Sequence, residues 1–255
     1  MLYVGTSGWA YKEWRAQPGG EGRQGKPGFY PLGTPQAKFL QHYATQLPAC
    51  EVNATFYRTP PPSTVAKWSA ATPEGFRFAF KVHRALTYSK QLAPTKERTE
   101  FLQDIFRALG GTGPRFGCLL LQTGPHLERD DEALQRFLNA MPSGAPFAFD
   151  FRNPTWDCPE MEEAVAAAGG TVCLTHRESP PSGAPAPDRL PPGPVAYVRL
   201  RAPSYSGEER AAWAKLLARE ARRRPVFSFV KHEGAPAGDP EAGVGLAVWL
   251  KENAA

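Results

Sequence analysis

Charged side chains recur at the downstream ends of apolar runs along this chain, and they are of the types that carry acid, base and anion chemistry. The run at 49–58, ACEVNATFYR, alternates Glu51 and Asn53 with Cys50, Val52 and Ala54, so a two-residue period puts both polar groups on one face. An unpaired carboxylate on a buried strand face is costly, so Glu51 requires a partner or a watery cavity. Later runs repeat the pattern and bring Lys81, His83, Arg84, Gln122, Asp150, Arg152, His176, Arg177, Arg199, Arg201, Lys231, His232 and Glu233 to comparable positions. Glu51 or Asp150 would serve as a general base, and Lys81 or Arg199 as an electrostatic clamp. The same groups could equally form a buried ion network that needs no substrate. Cations outnumber carboxylates at these ends, which suits a phosphate or carboxylate ligand.

Two other chemistries find less support. His83, His176 and His232 with Glu51 and Asp150 could be assembled into a metal site, but each run supplies one histidine and no HxH or HExxH occurs, so no metal and no particular cofactor is assigned. Ser7 lies in GTSGW, which is not a GxSxG elbow and offers no partner base.

The elements that would position these residues follow from periodicity. Strands are expected at 2–8, 49–58, 77–82, 116–123, 146–152, 171–177, 195–201 and 226–233, and helices at 35–47, 63–71, 95–109, 127–141, 159–168, 208–223 and 241–251. Thr34 is the expected N-cap of the first helix, with Pro35 at its first position. In RFAFKV the bulky Phe78, Phe80 and Val82 share one face and Arg77, Ala79 and Lys81 the other; PFAFDFR repeats this with Ala148, Asp150 and Arg152. Bulky residues toward a helix layer and small or charged ones inward is the pattern of a barrel strand. Strands alternating with helices over 255 residues predict an α/β fold, a single (β/α)8 TIM-type barrel spanning 1–255. No GxGxxG or Walker sequence follows any strand. In such a barrel the site lies at the C-terminal strand ends, where Glu51, Lys81, Asp150 and Arg199 are expected to point inward.

Two stretches depart from the alternation. Residues 9–33 form a long loop in which Trp9, Tyr11, Trp14, Phe29 and Tyr30 are interleaved with Lys12, Arg15, Arg23 and Lys26. These aromatics either stack nucleic-acid bases or pack the loop onto the barrel rim. Residues 178–194 are rich in Pro, Gly, Ser and Ala and read as a surface loop rather than a domain linker.

Composition sets outer bounds. The 30 Lys plus Arg against 25 Asp plus Glu give a formal charge of +5, a mild bias toward anionic partners or nucleic acid. The four cysteines, Cys50, Cys118, Cys158 and Cys173, show no CxxC spacing and read as buried reduced thiols. Strand patterning from Leu2 onward and the lack of any run of about 18 apolar residues lead to the expectation of no export signal, no membrane and a cytoplasmic location.

The segments GTSGW with Tyr11, EVNATFYRTP, FRFAFKV, FAFDFRNPTW, YVRL and FVKHE occur in the order and rough spacing of the YecE-like family, the family of domain of unknown function 72, and the chain resembles that family over essentially its whole length. The resemblance implies a TIM-barrel-type fold. It maps the family's typical residues onto Gly5, Ser7, Gly8, Trp9, Glu51, Asn53, Thr55, Phe56, Tyr57, Lys81, Arg152, Trp156 and Arg199. Asp150 stands where the family often has Glu, a carboxylate on a shorter arm, and KHE at 231–233 replaces an Asn-containing segment. The resulting expectation is an enzyme or enzyme-like binder of a phosphorylated or otherwise anionic small ligand, with Glu51, Lys81 and Asp150 catalytic and Ser7, Trp9, Asn53, Tyr57, Arg152, Trp156 and Arg199 binding. A nucleic-acid-binding or phosphodiester-processing protein and a non-catalytic scaffold are the alternatives.

Overall fold

The computed structural model describes residues 1–19, 25–88, 92, 95–177, 186–231 and 235–254. Its strands are β1 (Leu2–Ser7), β2 (Ala49–Val52), β3 (Arg77–Lys81), β4 (Phe116–Gln122), β5 (Phe147–Asp150), β6 (Gly170–Val172), β7 (Leu174–His176), β8 (Ala196–Leu200) and β9 (Val226–Val230). They form one sheet in the order β6-β5-β4-β3-β2-β1-β9-β8-β7, and all pairings are parallel. The eight helices are α1 (Phe39–Gln46), α2 (Pro62–Ala70), α3 (Arg84–Thr87), α4 (Lys96–Gly110), α5 (Asp131–Asn139), α6 (Pro159–Ala167), α7 (Gly207–Ala221) and α8 (Gly243–Asn253) among the described residues. The result is a nearly closed parallel barrel surrounded by helices, as alternating βα patterning requires.

The sixth strand position departs from the expected continuous run at 171–177. It is split at Cys173: β6 bonds to β5 and β7 to β8, while the Cys173 amide donates to Phe149 O at 2.7 Å. Pro192 and Gly193 explain the split. Thr171 Oγ1 donates to Pro192 O at 2.9 Å, and a Cβ on Gly193 would lie 2.2 Å from Gly170 O, so this returning segment occupies the edge of β6. Two other expectations are corrected. The run from 49 leaves strand geometry at Val52 and turns into a 3-10 helix, Ala54–Phe56, where Thr55 Oγ1 donates to Lys81 O at 2.7 Å. The first helix opens with a 3-10 turn, Gln36–Lys38, entered through Pro35 with no side-chain cap, so Thr34 is not its N-cap.

Side-chain alternation divides the core in two. Phe78, Phe80, Leu119, Leu121, Phe149, Val198 and Leu200 pack outward against the helices, whereas Ala49, Ala79, Cys118, Leu120, Ala148, Tyr197, Phe227 and Phe229 fill the interior. On β9 the phenylalanines point inward, in the same interior cluster as the alanines of β2, β3 and β5. A barrel lumen of this size is a packed core closed below the site.

One outer device sets the junction of β1 and β2. The Tyr43 hydroxyl accepts from Thr6 N–H at 2.8 Å and donates to Ala49 O at 2.9 Å, standing between the two strands. Gly5 makes room for it, since a Cβ there would lie 1.9 Å from Ala49 O and 3.0 Å from the Tyr43 hydroxyl.

Candidate functional site at the barrel mouth

Above the apolar lumen the inward positions become polar, and the parallel register brings them to one level. Ser7 pairs with Glu51 and Gln122 with Asp150, while Thr175 pairs with Arg199. Glu51 is fully buried and bonded by four donors: its Oε1 accepts from Ser7 Oγ at 2.6 Å, Arg199 Nη2 at 3.0 Å and Arg201 Nη2 at 2.9 Å, and its Oε2 from Tyr197 Oη at 2.9 Å. Asp150, also buried, accepts from Gln122 Nε2 at 2.6 Å, Thr175 Oγ1 at 3.1 Å and Arg199 Nη1 at 2.6 Å. The Arg199 guanidinium is therefore clamped between two carboxylates, with Arg201 joining from above through Glu51 and through Ser7 Oγ at 2.6 Å.

The protonation states follow from these contacts. Burial alone would raise the Glu51 carboxyl, but the Arg199 and Arg201 guanidiniums and the Ser7 hydroxyl outweigh it and hold the group down at about 2. Burial likewise opposes the charge on Arg199, yet Glu51 and Asp150 keep it above the usual guanidinium value. Lys81 behaves differently. Burial, then the Arg199 charge, push its ammonium down to about 8, against the smaller opposing pull of Glu51 and Asp150. Its Nζ sits 3.7 Å from the centroid of the buried Phe56 ring, a cation–π contact.

These groups open into a cavity of about 480 Å3 whose walls include Lys81, Arg152, Arg177, Arg199, Arg201 and Lys231 together with Ser7, Tyr11, Asn53, Tyr57, Gln122 and Thr175, and among the described residues no carboxylate. Arg177 approaches Asp150 only to 3.9 Å and is half exposed. An adjoining groove of about 410 Å3 shares Arg152, Thr175 and Arg177 and continues past Asp150, Trp156 and Cys158.

Of the residues expected in the site, Ser7, Asn53, Tyr57, Lys81, Arg152 and Arg199 line the cavity, and Glu51 and Asp150 lie beneath it. Trp156 faces the adjoining groove, where it stacks on Phe151 at 4.5 Å and donates to Leu127 O at 2.8 Å. Trp9 is on the outer side of the sheet, against Trp68 and Phe78. Trp14 is fully buried among Tyr11, Phe29 and Tyr30, so the described part of the first loop packs inward around it and does not present Trp14 for base stacking.

Among the described residues the histidines do not gather around the carboxylates. His83 bonds to Tyr57 O and to Ala85 N–H, and His176 contacts the Tyr205 hydroxyl at 3.0 Å. His232, Glu233 and Arg23 lie outside the described residues. Among the described residues no group of three or more His, Cys, Asp or Glu side chains is placed to hold a metal, and no helix is long and apolar enough to cross a membrane. Cys50, Cys118, Cys158 and Cys173 carry no disulfide, and all but Cys158 are buried.

Tyr197 and Thr175 are the site residues that charge-based reading passes over, because neither is ionised. Alternation offers a signal for Tyr197: it shares a face with Arg199 and Arg201. Thr175 is harder to find, since its run is broken one residue pair earlier.

A parallel barrel with a polar mouth at the C-terminal strand ends defines a TIM-barrel-type protein. The model of the family described as "Protein of unknown function DUF72" matches residues 3–247, and the chain belongs to that family. It is 26% identical over 170 residues to UPF0759 protein YunF of Bacillus subtilis, covering 64% of this chain and 55% of that protein. It is 27% identical over 174 residues to UPF0759 protein YecE of Escherichia coli K12, covering 66% and 55%. The match thus spans about half the length of these curated relatives. Among solved structures, a DUF72 family protein from Thermotoga maritima superposes with a TM-score of 0.74 at 21% identity over 99% of this chain and 98% of its own. A DUF72 family protein from Enterococcus faecalis gives 0.68 at 17%, with 99% and 98% covered. A D-psicose 3-epimerase from Clostridium cellulolyticum, solved with D-tagatose, gives 0.50 at 11%, with 98% and 90% covered. At these identities the likeness concerns the fold.

Proposed function

We propose that this protein is an enzyme or enzyme-like binder of a small anionic ligand, phosphorylated or carboxylate-bearing, seated in the barrel mouth. One observation carries the reading: among the described residues the cavity is walled by six basic side chains and no carboxylate, and beneath it Glu51 and Asp150 are already bonded to the arginines and neighbouring donors. A field of one sign in a cleft with low-dielectric walls concentrates ions of the opposite sign, and guanidiniums offer paired donors to phosphate or carboxylate oxygens. In the D-psicose 3-epimerase a barrel of this architecture was solved with the uncharged sugar D-tagatose; the cations here favour a ligand bearing charge.

In this reading Glu51 and Asp150 are positioning residues. A carboxyl held at about 2 and bonded to two arginines is a weak base, and its work is to fix Arg199 and Arg201. Proton transfer falls to Lys81, whose ammonium titrates near neutral pH. The test is a thermal-shift screen of the wild type, Lys81→Ala and Arg152→Ala against phosphorylated sugars, nucleotides, oligonucleotides, small carboxylates and uncharged sugars. A ligand at about 100 times its dissociation constant adds roughly 2.7 kcal/mol, or about 5–10 °C for a chain of this size. The expected result is a shift with a small anion that both variants lose. No shift with any anion, or equal shifts in all three proteins, would contradict the proposal.

A further inference from the structure

Anion binding and proton transfer leave the nucleophilic character of Lys81 unused. Arg199 and Arg201 are held by carboxylates, whereas among the described residues the Lys81 nitrogen meets neither carboxylate nor hydrogen-bond acceptor and rests over the face of Phe56. It lies in a cavity of about 480 Å3, large enough for a small metabolite, whose walls also carry Arg152, Arg177, Arg199 and Arg201. An amine presented to an open cavity, seated on an apolar ring and opposed by anion-binding groups is arranged to meet an electrophile carried by an anion.

We propose that Lys81 forms an imine with a small anionic carbonyl compound, a phosphorylated aldehyde or ketone or a 2-oxo acid, held at the barrel mouth; this rests on the anion-binding reading above. The Nζ lone pair adds to the carbonyl carbon, giving a carbinolamine once the nitrogen has lost a proton to solvent and the oxygen has gained one. Loss of that oxygen as water forms the C=N bond, so amine and carbonyl give imine and water with no oxidant or reductant. The surroundings favour each stage. Burial, then the neighbouring guanidiniums, holds the amine down at about 8, so at neutral pH more of it is unprotonated than for an ordinary lysine. The protonated imine restores a positive charge in a cationic site, which the ligand's own anion offsets. A neutral carbonyl compound supplies no such offset, and this sets the ligand class.

The experiment incubates the full chain with pyruvate or dihydroxyacetone phosphate and sodium cyanoborohydride at pH 7, then locates the reduced adduct by peptide mass spectrometry. In parallel, thermal shifts are recorded with lactate and glycerol 3-phosphate, which carry the anion without the carbonyl. The expected result is an adduct on Lys81 from at least one carbonyl probe, formed roughly tenfold or more faster than on any exposed lysine, slowed by excess inorganic phosphate and absent from Lys81→Arg. Which probe reacts separates the 2-oxo acid from the phosphorylated ketone. Labelling spread evenly over surface lysines, or centred on Lys231, would overturn the imine assignment. Thermal shifts with lactate or glycerol 3-phosphate but no Lys81 adduct would defeat the imine and leave the anion site standing. Absence of both shifts and adducts would defeat both.

Discussion

Glu51 contributes to the site by what it holds. Its carboxyl lies at about 2 in the folded chain and 4.5 when unperturbed, so the folded state binds fewer protons over that window. The stabilisation is fully present above pH 4.5 and is lost as pH falls toward 2, an effect of about 3 kcal/mol from a depression of this size. Urea unfolding of wild type and Glu51→Gln between pH 6 and pH 2.5 is the check. The wild type should be the more stable by about 3–5 kcal/mol near neutrality, because the variant leaves Arg199 and Arg201 under-compensated, and the gap should narrow as pH falls. Lys81 carries the opposite expectation. Its folded value is depressed, so the folded state disfavours the charged form, and that cost is present below pH 8 and relieved by pH 10.5. Lys81→Met should therefore raise stability at pH 7 by about 0.5–2 kcal/mol, read by thermal unfolding, while abolishing anion binding. A residue placed only for stability would lower it.

At the scale of elements, the mouth depends on strands being held at one level. Tyr43 bridges β1 and β2 through Thr6 N–H and Ala49 O, which places Ser7 beside Glu51. Tyr43→Phe leaves a buried donor and a buried acceptor without partners, and the expected loss is about 1–3 kcal/mol in urea unfolding. Much of this element layer is legible in the sequence. Period-two alternation in RFAFKV and PFAFDFR separates Lys81 and Asp150 from the outward phenylalanines, and those faces are as expected. Three things escape local pattern. The end of β2 at Val52 is set by Thr55 bonding across to Lys81 O, a contact between elements 26 residues apart. The break at Cys173 depends on a segment that returns from beyond residue 186. The split of the strand-end charges, with Glu51 and Asp150 closing on Arg199 while Lys81 stays outside that network, needs distances that no one-dimensional pattern contains. Trp9 and Trp156 show the same limit: both adjoin strand ends in sequence, yet one packs outside the sheet and the other in a side groove.

For the whole molecule, the formal excess of +5 understates the local field, because six basic side chains converge on one cavity. Anion affinity should accordingly fall as salt rises, by calorimetry between low and physiological ionic strength, since the rim groups are accessible to screening ions. It should also fall as pH rises through 8, where Lys81 gives up its proton. Lys81 as a desolvated amine in a cationic mouth is tested most directly by its own titration, followed by NMR of side-chain-labelled lysine with and without inorganic phosphate. The expected midpoint is near 8 in the unliganded protein, moving upward when phosphate binds and offsets the neighbouring guanidiniums. A midpoint at the ordinary lysine value near 10.5, unmoved by phosphate, would contradict it.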